Sequence, residues 1–245
     1  MKHVTIVLPT YNEAENIEDF LNAVTTVVEK IEDFDVKMLV VDDYSPDGTS
    51  DIVKKIMENN KRVFLINNPV RGLGNAYKSG FKHALENLNS DILIEMDSDF
   101  SHSPDKIPEL LNMINQGYTF VIGSRYIKGG SIPDNWALIR KLNSKYGNIF
   151  ARFIAGLYSV KDCTSGFRAI SADLIKQISL QNLNVNGYAF KMNILYECIK
   201  NGAKVTEIPI NFIDRTKGKS KLNIKDVLEF MKNSFIIFFN RIFKK

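Results

Sequence analysis

Two cysteines in 245 residues are too few for a disulfide framework, and Cys163 and Cys198 lack the spacing of a structural metal site. A reduced compartment with two ordinary thiols is the expectation. The sequence also lacks any apolar stretch approaching the roughly 18 to 20 residues that a membrane-spanning helix needs. SFIIFF, residues 234–239, is the longest candidate. The opening MKHVTIVLPTYNEAEN has an apolar run too short for a signal peptide and reaches Pro9 and charged residues at once, so a cytoplasmic location is expected. There is no internal repeat and no low-complexity linker. The body has no strong charge of one sign either. The formal net charge is +4, yet the last 32 residues hold nine Lys or Arg against three Asp or Glu, which leaves the first 213 near −2. This placement argues against a nucleic-acid-binding body and for an anionic partner at the C-terminal end.

What is present is enough apolar material for a sizeable core, arranged in short β-branched runs. Residues 3–8 (HVTIVL), 36–42 (VKMLVVD), 62–66 (RVFLI), 91–96 (DILIEM) and 119–123 (TFVIG) read as strands. Helical spacing fills 14–31, 49–59, 73–88 and 104–116, with Pro104 suited to a first turn. The alternation predicts βαβ units around a mostly parallel sheet covered on both faces, an α/β fold. After Gly123 the rhythm changes. A polar loop leads to a helix over 136–156, the turn-rich DCTSGF, a helix over about 187–201, a strand over about 203–210 and an amphipathic helix over about 223–243. Residues 1–213 are expected to form the main domain, and 214–245 a basic loop followed by the amphipathic helix.

Ligands of open α/β sheets bind beyond the carboxyl ends of the strands, and those ends are chemically loaded here. The fourth run closes in IEMDSDFSH. If the chain stays extended, Asp97 and Asp99 point to one side and repel each other unless a cation lies between them; hard oxygen ligands suit Mg2+ or Mn2+. A solvated acidic loop is the plainer alternative. The second strand ends in VDDYSPDGTS, where Asp42 and Asp43 could accept from a ribose or base and Ser45 and Asp47 could cap the next helix. RGLGNA, residues 71–76, is either a phosphate-facing glycine loop or a simple entry turn.

Taken in order, LPTYNEAENI, VDDYSPDGT, RGLGNAY, MDSDFSH and GSRY resemble the nucleotide-sugar-binding half of family 2 glycosyltransferases of the GT-A fold. DCTSGFR, GYAFKM and EIPINFIDRTKGKSKL extend the resemblance toward the dolichyl- and polyprenyl-phosphate mannosyltransferases, from Pro9 to about Leu222. The resemblance implies a single Rossmann-like GT-A domain and transfer of a hexose, mannose from GDP-mannose, to a polyprenyl or dolichyl phosphate. It places Asp97 and Asp99 on the pair that carries Mg2+ or Mn2+ under the donor diphosphate. Ser101 stands where some relatives have a Gln ligand; its hydroxyl is a weaker donor, and a water can take that place. His102 is open between a structural and a catalytic role. Pro9, Tyr11, Glu13, Asp42, Asp43, Gly74, Asp97 and Ser98 match donor-binding positions. Arg125, Arg140, Ser144, Arg215 and Lys221 match acceptor-phosphate positions, and Arg125 and Arg215 join the acid pair as catalytic residues.

A phosphate monoester has a second pKa of about 6 and arrives at pH 7 already nucleophilic. The expected chemistry is therefore in-line attack with inversion and no essential protein base. Asp162 is the candidate if a base exists, with orientation of a loop or substrate as its other role. In the tail, Ile224, Val227, Leu228, Met231, Phe235, Phe238 and Ile242 form an apolar stripe bordered by Lys225, Lys232, Arg241, Lys244 and Lys245. That composition fits an interfacial helix on an anionic membrane, or a helix packed on its own domain or on a membrane-protein partner. Two other functions stay open: a UDP-sugar transferase to the same lipid or a surface polysaccharide, and a catalytically silent nucleotide-sugar-binding subunit.

Overall fold

The β-branched runs form strands of one sheet: β1 (Lys2–Thr10), β2 (Phe34–Asp42), β3 (Val63–Asn67), β4 (Ile92–Glu95), β5 (Phe120–Ser124), β6 (Arg168–Ser171) and β7 (Val205–Pro209). The helices are α1 (Ile17–Val28), α2 (Thr49–Asn59), α3 (Leu73–Asn87), α4 (Ile107–Asn115), α5 (Leu138–Ala155), α6 (Ala172–Lys176), α7 (Ala189–Lys200) and α8 (Ile224–Phe243). This computed structural model describes residues 1–180, 183, 187, 189–214 and 224–243, the backbone alone over 224–227. Pro104 opens a short 3-10 turn that runs into α4, the first-turn role its missing N–H permits.

The strand order is β3-β2-β1-β4-β6-β5-β7. All pairings are parallel except those of β6, which runs antiparallel to both β4 and β5. Sequence reading assigns no strand to β6. Its four residues are few, and they open on an arginine that only a tertiary partner makes tolerable inside a sheet. Alternate strand residues feed two separate cores, as burial on both faces requires. Val4, Ile6 and Leu8 of β1 join Phe20, Leu21, Val53 and Leu110 of α1, α2 and α4 on one face. Val7 of β1, with Leu39 and Val41 of β2, joins Tyr77, Phe81, Ala151, Phe190 and Ile237 of α3, α5, α7 and α8 on the other. The α3 contact depends on Gly80. A Cβ there would overlap the Val7 side chain and lie 3.0 Å from Val41 Cγ2.

The order of strands turns round at β1, with β2 and β3 to one side and β4 to the other. A crevice beyond the carboxyl ends of β1 and β4 is the consequence. The candidate site lies there. In α8 the buried face is narrow, comprising Asn233, Ser234 and Ile237, whereas Leu228, Met231, Phe235, Phe239 and Ile242 are exposed. Among the described residues, no helix is long and apolar enough to cross a membrane.

Candidate active site

β4 stops at Glu95, and the chain bends over residues 98–100. Asp97 and Asp99 are therefore not two steps along a continuing strand, as an extended chain would have it. Phe100 takes a φ of +62°, the left-handed region that a bulky residue enters only under constraint, and sets its ring edge-on to Phe20 at 5.2 Å. The bend turns Asp99 inward, to 6% exposure. Its Oδ1 accepts the Ser101 N–H (3.0 Å) and the Ser101 hydroxyl (2.5 Å). Ser101 is thus engaged in aiming Asp99. The Asp97 side chain stays 32% exposed, with Oδ1 3.3 Å from the Lys191 ammonium. Its N–H meets His102 Nδ1 at 3.3 Å.

His102 is 2% exposed, stacked on Phe167 at 5.3 Å and edge-on to Phe212 at 5.4 Å. Burial pulls its pKa down to about 4, against the opposing pull of Asp97 and Asp99. At neutral pH the ring is uncharged, and its contacts are those of a group that holds the Asp97 backbone.

Under the pair lies a buried charge cluster that the sequence did not announce. Glu95 and Arg168, opposite each other across β4 and β6, are both fully buried, with Arg168 Nη1 3.6 Å from Glu95 Oε2. Burial drives the Glu95 pKa upward while Arg168 and Lys191 draw it down. Arg168 also donates to the Lys191 carbonyl and, at 2.8 Å, to that of Cys163.

On the nucleotide side, Asp42 is wholly buried and its oxygens are taken. They accept from Thr10 Oγ1 (2.9 Å), Ser45 N–H (2.8 Å), Ser45 Oγ (2.6 Å) and Ser50 Oγ (2.9 Å). Asp42 organises the loop, and Asp43 is the half-buried member of the doublet. Asp43 accepts from Asn68 Nδ2 (2.6 Å) and from the Gly72 N–H (2.9 Å), which ties the glycine loop to β2. The loop enters α3 with Gly72 at φ +126° and Gly74 buried in the first turn. Pro9 lies near the end of β1. Just beyond it Tyr11 carries the Arg71 guanidinium 3.6 Å above its ring, a cation that sequence reading passed over. The Glu13 N–H is held by Thr49 Oγ1 at 3.0 Å. Ser98 is buried in the bend between the two acids.

On the phosphate side Arg125 is locked. Its Nε and Nη2 grip Asp162 at 2.7 and 2.8 Å, its N–H adds a third bond at 3.1 Å, and Nη2 also reaches Thr164 Oγ1 at 2.7 Å. The Asp162 side chain has no exposure. Burial alone would raise its pKa, but the charge and hydrogen bonds of Arg125 hold it below the ordinary carboxylate value. Arg140 is freer, 44% exposed, with Asp214 at 3.1 Å and the Trp136 ring 3.9 Å beneath it. Ser144 shares a 2.6 Å hydrogen bond with the Tyr126 hydroxyl. Phe212 gathers these groups: His102 and Trp136 meet its ring edge-on, and the Arg125 guanidinium lies 5.5 Å from its centre. Residues far apart in the chain are thus brought together beyond the ends of β4, β5 and β7. Arg215 and Lys221 lie outside the described residues.

The donor set that Asp97 and Asp99 offer is hard and anionic, and a lysine ammonium already occupies a cation's place beside Asp97. Among the described residues, no group of three or more His, Cys, Asp or Glu could complete a metal site. Two carboxylates plus substrate phosphate oxygens is the coordination Mg2+ commonly accepts.

A family model described as glycosyl transferase family 2 matches residues 5–179. The chain is 36% identical over 228 residues to polyprenol monophosphomannose synthase of Mycolicibacterium smegmatis, covering 92% of this chain and 83% of that protein. It is 36% identical over 221 residues to undecaprenyl-phosphate mannosyltransferase of Micrococcus luteus, covering 90% and 87%. With dolichol-phosphate mannosyltransferase of Pyrococcus furiosus it shares 33% over 235 residues, 95% of this chain but 62% of that protein. In three dimensions it is similar to glucosyl-3-phosphoglycerate synthase from Mycobacterium tuberculosis in complex with Mn2+ and UDP-glucose. There the TM-score is 0.69 at 17% identity, over 98% of this chain and 79% of that one. Mannosyl-3-phosphoglycerate synthase from Rubrobacter xylanophilus gives 0.71 at 16%, over 100% and 75%. These likenesses show a shared GT-A-like fold.

Proposed function

Because this chain belongs to glycosyl transferase family 2 and is a glycosyltransferase, we propose that it moves mannose from GDP-mannose to a polyprenyl or dolichyl monophosphate, with inversion. The observation that carries this reading is the set of contacts at Phe212: His102, which holds the Asp97 backbone, and Trp136, which underlies Arg140, both meet its ring, and the Arg125 guanidinium lies 5.5 Å from its centre. The names of the relatives support mannose and a lipid phosphate. Asp97 and Asp99 would hold Mg2+ or Mn2+, which when bound neutralises the leaving nucleoside diphosphate.

The chain's own groups do the rest. Asp43, Tyr11 and Arg71 frame the nucleotide end of the crevice. The ion pair of Arg140 with Asp214 is a surface one, worth about 0–1 kcal/mol, so Arg140 can exchange that carboxylate for an acceptor phosphate at little cost while Trp136 keeps its place beneath the guanidinium. The Ser144 hydroxyl would add to the phosphate grip, and Arg215 and Lys221, outside the described residues, are the further candidates that the sequence offers for it. A lipid phosphate with a second pKa of about 6 needs no base to become a nucleophile. Consistent with that, Asp162 is spent on Arg125 and has no exposed surface.

The acceptor's lipid calls for an apolar surface, and two helices supply one. On α5, Ile139, Leu142, Tyr146, Ile149 and Phe153 recur at spacings of three and four and are all exposed. On α8, Leu228, Met231, Phe235, Phe239 and Ile242 do the same. Phe150 and Phe235 pack edge-on at 5.9 Å and join the two helices. Since α5 also carries Arg140 and Ser144, peripheral docking of this face on a membrane would bring the lipid headgroup to the crevice.

The test is incubation with Mg2+ or Mn2+, a short polyprenyl phosphate, and either GDP-mannose or UDP-glucose, with lipid-linked sugar as the readout. Product from GDP-mannose alone is expected. Product from UDP-glucose alone would replace the donor, and tight nucleotide binding without product from any donor would overturn the reading in favour of a silent subunit.

A further inference from the structure

We propose that Lys191 is a built-in counter-ion of the acid pair. Its ammonium holds a cation's place at Asp97 and makes the chain a weak binder of divalent ions until a nucleoside diphosphate arrives with them. The proposal rests on reading Asp97 and Asp99 as the cation site.

Lys191 stands in the first turn of α7, with its side chain 3% exposed and Nζ 3.3 Å from Asp97 Oδ1. A buried ammonium is costly unless paired, so a lysine carried into the core there needs an acidic partner. The surroundings fix its aim. Arg168 donates to the Lys191 carbonyl while pairing with Glu95, which pins the start of α7 against β6. Gly166 makes the room: a Cβ there would overlap Lys191 Nζ and stand 3.3 Å from Asp97 Oδ2.

One carboxylate cannot satisfy an ammonium and a divalent ion independently. An ion brought to Asp97 adds two positive charges beside a third, and the Lys191 side chain, at 3% exposure, has little water of its own to screen them. The donor diphosphate brings the opposite charge. Ion and diphosphate are therefore expected to bind together far better than either alone, and Lys191 is the origin of that dependence. Its role is positioning, exercised through Asp97.

The experiment titrates Mn2+ into metal-free protein and reads free Mn2+ by electron paramagnetic resonance, with and without GDP or UDP. Circular dichroism verifies the fold of each variant. Wild type is expected to bind Mn2+ weakly alone and at least about tenfold more tightly with nucleotide. Lys191→Met removes the ammonium but keeps the apolar stem, and Gly166→Ala displaces the ammonium without removing it. Both are expected to bind Mn2+ alone about tenfold or more tightly than wild type, with a smaller gain from nucleotide. Lys191→Arg keeps the charge and should keep the weak binding. Folded Lys191→Met or Gly166→Ala protein with unchanged or weaker Mn2+ affinity overturns the proposal, while wild-type binding with nucleotide leaves the acid-pair reading intact. Absence of Mn2+ binding even with nucleotide overturns both.

Discussion

Asp162→Asn separates a base from a brace. The substitution keeps the shape of the side chain and removes its charge. In the native protein Asp162 has no exposure, and Arg125 is 10% exposed. Two guanidinium bonds of 2.7 and 2.8 Å and a backbone bond of 3.1 Å join them. The variant leaves a buried guanidinium facing a neutral amide, and breaking a buried pair in this way costs about 3–5 kcal/mol. For a chain of this size each kcal/mol moves the melting temperature about 2–4 °C, so a fall of roughly 6–20 °C is expected. Neutralising both partners, Arg125→Met with Asp162→Asn, should recover part of the loss, because no lone charge is then buried.

The pH dependence has a definite sign. A carboxyl whose folded pKa is depressed contributes stability above its ordinary pKa and loses it as pH falls through the folded value. Wild type and Asp162→Asn should therefore converge in stability in acid, below the ordinary carboxylate range. The assays are thermal melts, calorimetric titration with GDP and UDP, and turnover measured well below the melt. The brace reading expects a lower melting temperature, retained nucleotide binding and residual turnover. Abolished turnover with wild-type melting and wild-type nucleotide affinity would refute it and make Asp162 a base.

Three further outcomes are expected. Gly80→Ala should destabilise by about 1–3 kcal/mol, read from the urea midpoint, because α3 must move off Val7 and Val41 to admit a methyl. His102, with a folded pKa of about 4 against an ordinary 6.5, resists the proton that the unfolded chain takes up. Stability should fall as pH drops from about 6.5 to about 4, by up to about 3 kcal/mol, and His102→Gln should flatten that part of the profile. Phe153→Glu and Phe239→Glu, at 68% and 54% exposed positions, should weaken binding to anionic vesicles about tenfold or more while leaving the melting temperature unchanged. Unchanged vesicle binding in both variants would exclude this face from the membrane contact.

The first five strands were legible because each is a β-branched run bounded by turn residues. The helices between them follow from apolar spacing such as Ile17, Phe20, Leu21, Val24 and Val28. The strand ends stood out for the same local reason, and Asp97 and Asp99 follow the end of β4 as Asp43 follows the end of β2. Local pattern could not reveal β6, whose Arg168 is tolerated in a sheet interior because Glu95 lies across from it and the Lys191 and Cys163 carbonyls accept its hydrogen bonds. Nor could it separate Asp42 from Asp43. One is consumed by four hydrogen bonds and the other sits half-buried at the glycine loop, a difference of surroundings between chemically identical neighbours.

The apolar stripe of α8 could be read in the chain, but which side of it met the core could not, and the equivalent stripe on α5 passed unnoticed. Periodicity along a chain determined which residues share a face. Which face is buried, which charges are paired and which lysine reaches the acid pair were decided only by tertiary structure. Burial and pairing are properties of residues far apart in sequence, such as Lys191 and Asp97, that meet only when the sheet is assembled.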